Sequence, residues 1–251
     1  MSGTHDRALL WRAVGAQTRA ELILTLRRGE NILITIIVPV LLLVFFAALG
    51  VPGVAHDATV SFLLPGILAL AIIATGMVNL GIATAYERYY GVLKRLGASP
   101  LPRGGLLVAK ALTVLLLEIV QVVILLAVAM LGYNWRPSGS LPLALLVVVL
   151  GTLAFAGIGL AMAGGLRAEA TLAGANGLYL LFLVLGGAIL PLDHLPGPLQ
   201  SLARVLPASA LTDALRAAFD AAAPFPGGAL AVLATWAVVA LALAARTFRW
   251  E

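Results

Sequence analysis

The sequence predicts an all-α, polytopic membrane protein of six transmembrane helices. A short cytosolic helix is expected between the second and third, and short re-entrant or interfacial helices before the sixth. Three observations carry this. Of the 251 residues, 62% are apolar and 11% charged, whereas soluble domains carry roughly a quarter charged residues; so little polar surface cannot cover a water-soluble fold of this size. The apolar runs reach about twenty residues, enough for a helix to cross a bilayer core of about 30 Å, and do not alternate as membrane β-strands do. The lysines and arginines gather in a few loops, which is how membrane orientation is encoded.

Residues 1–30 carry Arg7, Arg12, Arg19, Arg27 and Arg28, too much charge over too long a stretch for a signal peptide. Trp11, Thr18 and Leu22 are expected on one helix face and Arg12 and Arg19 on a neighbouring one. This predicts a cytosolic amphipathic segment lying under the membrane; the alternative is a loose basic tail that only fixes orientation. The first span is placed at 32–50, with Pro39 inside it. The loop 51–59 holds Pro52, Gly53 and Asp57 and no basic residue. The second span, 62–84, opens on Pro65-Gly66 and contains Asn79.

The third span, 106–131, contains Glu118 and Gln121 and is followed by Tyr133, Trp135 and Arg136, an aromatic interface marker. The fourth, 141–166, carries Gly151, Gly157, Gly159, Gly164 and Gly165, and Arg167 and Glu169 form a short polar turn after it. In the fifth, 171–190, Asn176 lies between Gly174 and Gly177. The glycines of both spans are expected to permit close helix packing. Residues 191–227 hold six of the thirteen prolines, yet Leu199, Leu202 and Leu206, then Leu211, Leu215 and Phe219, fall at helical spacing. Two short helices are expected there, too short to span and too apolar to float free, sheltered by protein at an extracytoplasmic face. The sixth span, 229–245, is closed by Arg246, Arg249 and Trp250.

An even number of spans puts both termini on one side, together with residues 86–110 and Arg167. That side holds 13 of the 16 basic residues, which places it in the cytoplasm. Arg136, Arg204 and Arg216 fall outside, with Asp57, Asp193, Asp213 and Asp220. The bias towards Ala, Leu, Gly and Arg suggests a bacterial origin, hence an inner (plasma) membrane location. The chain reads as one transmembrane domain over 1–251.

Several functions are excluded by what the sequence lacks. There is no cysteine, and His5, His56 and His194 are far apart, so no metal site is expected. No GxxxxGK[ST], HExxH or supported GxSxG motif occurs, so the chain is expected to bind no cofactor and to catalyse nothing by itself. The net charge of +5 sits in orienting loops and does not signal nucleic acid. Four intramembrane polar residues remain: Asn79, Glu118, Gln121 and Asn176. An ionised Glu118 near a helix centre costs a few kcal/mol, so it must face the bundle interior, be protonated or pair. Gln121, three residues on, shares its face. These four either line a translocation route or make interhelical hydrogen bonds of about 1 kcal/mol each.

Between the second and third spans lies YERYYGVLKRLGASPLPRGGLLVAK, Tyr86 to Lys110. Val92, Leu93 and Leu96 fall at helical spacing beside Lys94 and Arg95, which fits a short amphipathic helix ended by Gly97, Pro100 and Pro102. Read as a whole, ERYYGVLKRLGASPLPR followed by a lysine early in the next span resembles the cytosolic segment of ABC-2 type exporter permeases. Glu87, Arg88, Gly91, Leu93, Lys94, Leu96, Pro100, Leu101 and Arg103 match it. GAILPLDHLPGPLQSLARVLPASALTDALR resembles the family's proline-punctuated segment before the last helix. The resemblance implies that residues 86–101 form a coupling helix region, with Glu87, Arg88, Gly91, Leu93, Lys94, Arg95 and Leu96 facing a separate ATPase subunit. It further implies a homodimer or a heterodimer with a paralogous permease, ATP and Mg on the partner ATPase alone, and a small drug- or antibiotic-export branch moving a hydrophobic or amphipathic substrate. The alternative is an ATP-independent secondary transporter or channel with Glu118 as its proton or ion site.

Overall fold

Two helices form the centre of the bundle, the first through uncharged, mostly large apolar side chains and the second through glycines that let neighbouring backbones approach. In the computed structural model, which describes residues 2–27, 29–50, 54–55, 58–98 and 101–248, every regular element is a helix. In chain order these are α1 (Ser2–Arg27), α2 (Gly29–Leu49), α3 (Thr59–Ile73), α4 (Leu80–Tyr89), α5 (Val92–Leu96), α6 (Arg103–Tyr133) and α7 (Leu141–Gly165). Then follow α8 (Ala168–Leu185), α9 (Gly197–Ala203), α10 (Pro207–Phe219) and α11 (Gly227–Thr247). A π-helical segment, Ala74–Asn79, joins α3 to α4 into one continuous helix. Pro52, Gly53, His56, Asp57, Pro100, Arg28, Arg249 and Trp250 lie outside the described residues.

The chain is a polytopic membrane protein. Among the described residues, five helices are long and apolar enough to cross a membrane: Thr59–Tyr89, Arg103–Tyr133, Leu141–Gly165, Ala168–Leu185 and Gly227–Thr247. Within α2, Thr35–Leu49 is a shorter apolar helix at the position of the predicted first span. Two boundaries differ from expectation. The second span runs on to Tyr89, so Glu87 and Arg88 belong to its last turn instead of following it. The fifth stops at Leu185, because Gly187 takes φ +65° and turns the chain out of the helix.

α3 is buried without interruption from Leu63 to Ile73, a helix apolar on all sides and covered on all sides. α7 is the second central element, packed against α11, α10, α4 and the π segment. Its glycines make this approach possible. A Cβ on Gly159 would lie 2.6 Å from the Met77 carbonyl oxygen and 2.9 Å from that of Gly76, and one on Gly157 would lie 2.9 Å from the Leu241 nitrogen. With no hydrophobic drive between helices in lipid, backbone approach of this kind holds them together. The fifth span does not share the device: Gly177 has nothing within 4 Å, and Gly174 meets only the Met162 methyl.

The segment between α8 and α11 forms the two expected short helices, α9 and α10, after a 3₁₀ turn at Leu192–His194. α10 is largely buried against α3, α7 and α11. The α6–α7 loop closes its C-terminus: Ser138 and Gly139 N–H donate to the Phe219 carbonyl, and Ser140 N–H to that of Ala218. Trp135 stacks edge-on to Phe219 and donates from Nε1 to Ser61 Oγ.

α1 is helical and packs on α6, with two of the three residues expected on one face turned inward and the third not. Val14 and Thr18 are buried and Leu22 is half-buried, while Trp11 is 62% exposed. The offset of four between Val14 and Thr18 brings Glu21 inward, and a polar contact described below draws the helix to that face.

Gly159→Ala is expected to destabilise the bundle by about 1–3 kcal/mol through overpacking, read as a lower thermal unfolding midpoint in detergent. Gly177→Ala, with open space around it in the interior of α8, is expected not to lower the midpoint and to raise it slightly, helix propensity adding about 0.5–1 kcal/mol.

Candidate functional site

The junction between the second and third spans is built from α4, α5 and the start of α6. Gly91, at φ +70° and ψ +14°, turns the chain from α4 into α5 in a left-handed conformation that a side chain would strain. Arg95 N–H donates to the Gly91 carbonyl and Gly97 N–H to that of Leu93. On α5 the side chains divide. Leu93 is 1% exposed and packs with Val14 of α1, Leu101, Leu106 and Ala109 at the start of α6, and Phe248 after α11. Leu96 packs against the same cluster. Val92, Lys94 and Arg95 face outward. Leu93 is therefore the pin that fixes α5 to the body, and it is withdrawn from the contact surface on which the sequence pattern placed it.

Glu87 and Arg88, adjacent in sequence, go to different helices. Arg88 Nη1 donates to the Gly164 carbonyl at 2.7 Å, and Nη2 donates to that of Leu166. These are C-terminal carbonyls of α7, where a cation is favoured by the helix dipole and the orphan acceptors. Glu87 Oε2 accepts from Lys110 Nζ at 2.7 Å, and Glu21 Oε1 accepts from the same ammonium at 3.0 Å. Lys110 is 2% exposed. One buried cation on α6 thus holds α1 and α4 together, with Gln17 Nε2 also donating to Glu21 at 3.0 Å. Just beyond, Tyr86, Tyr89 and Tyr90 form a ring cluster, with Tyr89 and Tyr90 largely exposed, as at a membrane–water boundary.

Glu21 was not singled out by sequence reasoning, and Lys110 was noted only as a lysine following the motif. A signal existed: Lys110 stands inside an apolar run, and a charge there needs a carboxylate.

The second polar group lies deeper. Glu118, at the midpoint of the 31-residue α6, is fully buried. Thr152 of α7 donates to its Oε2, while Oε1 has no hydrogen-bond partner. Gln121 Oε1 accepts from Thr75 in the π segment at 3.2 Å, and its Nε2 donates to the Thr35 carbonyl of α2 at 2.9 Å. Glu118 and Gln121 share the inward face of α6, as expected, but they reach different neighbours. Asn79 and Asn176 are not part of this group: both are exposed on their helices, and Asn176 Nδ2 donates back to the Leu172 carbonyl. Among the described residues, no group of three His, Cys, Asp or Glu is arranged to hold a metal ion.

Lys110→Met leaves two carboxylates facing a membrane helix without a counter-charge. It is expected to cost about 3 kcal/mol or more, seen as a fall in the thermal midpoint, with much of the loss recovered when Glu21→Gln and Glu87→Gln are added.

The sequence profile of the ABC-2 type transporter family matches residues 12–219. The chain is 27% identical over 153 residues to the probable multidrug ABC transporter permease YbhR of Escherichia coli (strain K12), covering 61% of this chain and 42% of that one. It is 29% identical over 167 residues to ABC transporter G family member 20 of Dictyostelium discoideum, covering 65% of this chain and 23% of that one. The matches therefore take in less than half the length of these relatives. The family profile spans most of the helical bundle, including the α4–α5–α6 junction and its buried Lys110 tie, and the chain belongs to the ABC-2 type transporter family.

Proposed function

We propose that the chain is the transmembrane permease of an ATP-driven exporter, with ATP and Mg bound and hydrolysed on a separate ATPase subunit. The observation that carries this reading is the two-sided character of α5: Leu93 fixes it into the body, and Arg95 and Lys94 point away from it. A helix so mounted transmits a push on its outer face to α1, α4 and α6 through the Leu93 cluster and the Lys110 tie. Residues 86–101 then act as the coupling region, with Arg88 carrying the same displacement to α7. Glu87, Gly91 and Leu96 support this region from within, and Lys94 and Arg95 meet the ATPase.

On this reading α5 and both termini are cytoplasmic, 1–30 is a cytosolic amphipathic segment, 191–227 lies at the opposite face, and the membrane is a bacterial inner membrane. The permease works as a homodimer or with a paralogous partner. Asn79 and Asn176 stand exposed on membrane-spanning helices, where lipid is a poor neighbour for an amide; a second permease or a passing substrate gives them partners. The mostly apolar helices suit a hydrophobic or amphipathic substrate, a drug, antibiotic or lipid-like molecule, in line with the multidrug name of the Escherichia coli relative.

Arg95→Asp is the sharpest test. It is expected to weaken co-purification with the ATPase subunit by about tenfold or more, and to reduce export, without lowering the thermal midpoint. Wild-type association and export in that variant would refute the coupling role. Leu93→Asp is expected instead to unfold the junction.

The unpartnered Glu118 Oε1 favours one second reading, a proton- or ion-driven transporter or channel. Reconstitution of the chain alone under a proton gradient separates the two. Transport without an ATPase, abolished by Glu118→Gln, supports the second reading; no transport supports the exporter.

A further inference from the structure

At the end of the bundle opposite α5, a cavity of about 330 Å³ opens where Phe62, in the first turn of α3, meets the segment between α8 and α11. Its charged lining comes from Asp193, Arg204, Asp213 and Arg216, with Gln200 beside them. Two cations and two carboxylates thus face one small volume: Gln200 Nε2 donates to Asp193 Oδ1 at 3.0 Å, and Asp213 is paired with Arg216 only at 3.7 Å. Arg216 Nη2 donates to the Gly187 carbonyl at 2.5 Å and its guanidinium lies 3.9 Å from the centre of the Phe62 ring. Its Nη1 is 3.7 Å from Asp213, longer than a hydrogen bond, and its buried Nε has no partner. α10 is not a spanning helix, and there burial lowers the Arg216 guanidinium to about 10, Asp213 partly opposing the shift, so Arg216 is a cation at neutral pH. An incompletely bonded guanidinium held at a cavity wall by ring stacking is a ready site for an anionic oxygen.

The surroundings indicate what carries that oxygen. The cavity lies at the first turn of a spanning helix, the depth at which lipid headgroups sit. α9 turns Gln200 towards the cavity, with Arg204 one turn on, and exposes Leu199 and Leu202 on its other side; Val205 is 58% exposed. Charge of both signs beside a free apolar face matches a molecule with a zwitterionic head and an apolar body.

We propose that this cavity binds the zwitterionic headgroup of a phospholipid, its phosphate on Arg204 and Arg216 and its ammonium beside Asp193 and Asp213, with the acyl chains along the apolar side of α9. The site is separate from the ATPase-facing junction, and its occupancy does not depend on the direction of transport.

The test is native mass spectrometry of the delipidated full chain with three probes: dioctanoyl phosphatidylethanolamine, dioctanoyl phosphatidylglycerol and glycerophosphoethanolamine. The wild type is expected to prefer the ethanolamine lipid over the glycerol lipid by about tenfold, the scale of one charge-assisted contact. Asp193→Asn with Asp213→Asn is expected to erase that preference, and Arg204→Gln to weaken both lipids; these are exposed positions, so folding is preserved. Equal binding of both lipids by the wild type, or a preference untouched by these substitutions, would overturn the proposal and leave Arg216 a structural lock on Gly187 and Phe62. Glycerophosphoethanolamine binding as tightly as the ethanolamine lipid would overturn it in favour of a soluble zwitterion.

Discussion

Lys110 sits in the third turn of a long apolar helix, 2% exposed, where an unmatched ammonium has neither water nor a helix partner to stabilise it. Its two carboxylates come from outside α6: Glu21 from α1, and Glu87 from the last turn of α4. Because desolvation makes such a cation dependent on both partners at once, three helices that are far apart in sequence must meet at one point. Much of the junction follows from this. α1 shows α6 the face that bears Glu21. α4 continues to Tyr89 so that Glu87 reaches the ammonium, and Arg88, one residue on, points a different way and closes the end of α7. The Leu93 cluster then seals the same layer from below with apolar contacts.

Deeper in the bundle the constraint is steric. The π-helical segment Ala74–Asn79 presents the Gly76 and Met77 carbonyls to Gly159, and no side chain fits between them. A π turn shifts the register of everything that follows it, so the same segment also places Thr75 against Gln121. Glu118 is nearby: its Oε1 would lie 3.5 Å from a Cβ on Gly76. Small residues, a local change of helix type and a buried carboxyl are thus parts of one contact between α6, α7 and the centre of the second span. The polar tie at Lys110 and this contact are two turns apart on α6, which gives the α4–α5–α6 junction a direct physical connection to the middle of the bundle.

The helical membrane class and the order of the elements were legible from hydropathy length and charge placement, because lipid allows few alternatives for an apolar chain. The short helix after the second span was legible from the spacing of Leu93 and Leu96. Its inner and outer faces were not: amphipathic spacing identifies an apolar side without saying whether the same chain or another covers it, and Leu93 turned out to be covered by the chain itself. Trp11 failed for a related reason, since α1 is positioned by Glu21 and Val14 and not by its largest apolar side chain. Gln121 and Glu118 were rightly paired on one face, but their partners Thr75, Thr152 and the Thr35 carbonyl lie on other helices. Helix periodicity cannot name partners across a bundle. The glycines of α8 resemble those of α7 in sequence and differ only in having no backbone opposite them.

The claim that Lys110 joins α1, α4 and α6 into one unit is tested most directly by the distance between α1 and α5. The chain contains no cysteine, so spin labels at Arg19→Cys and Arg95→Cys, both exposed positions, report that distance by pulsed electron resonance. One narrow distance distribution is expected, broadening in folded Lys110→Met. An unchanged narrow distribution in that variant would contradict the claim.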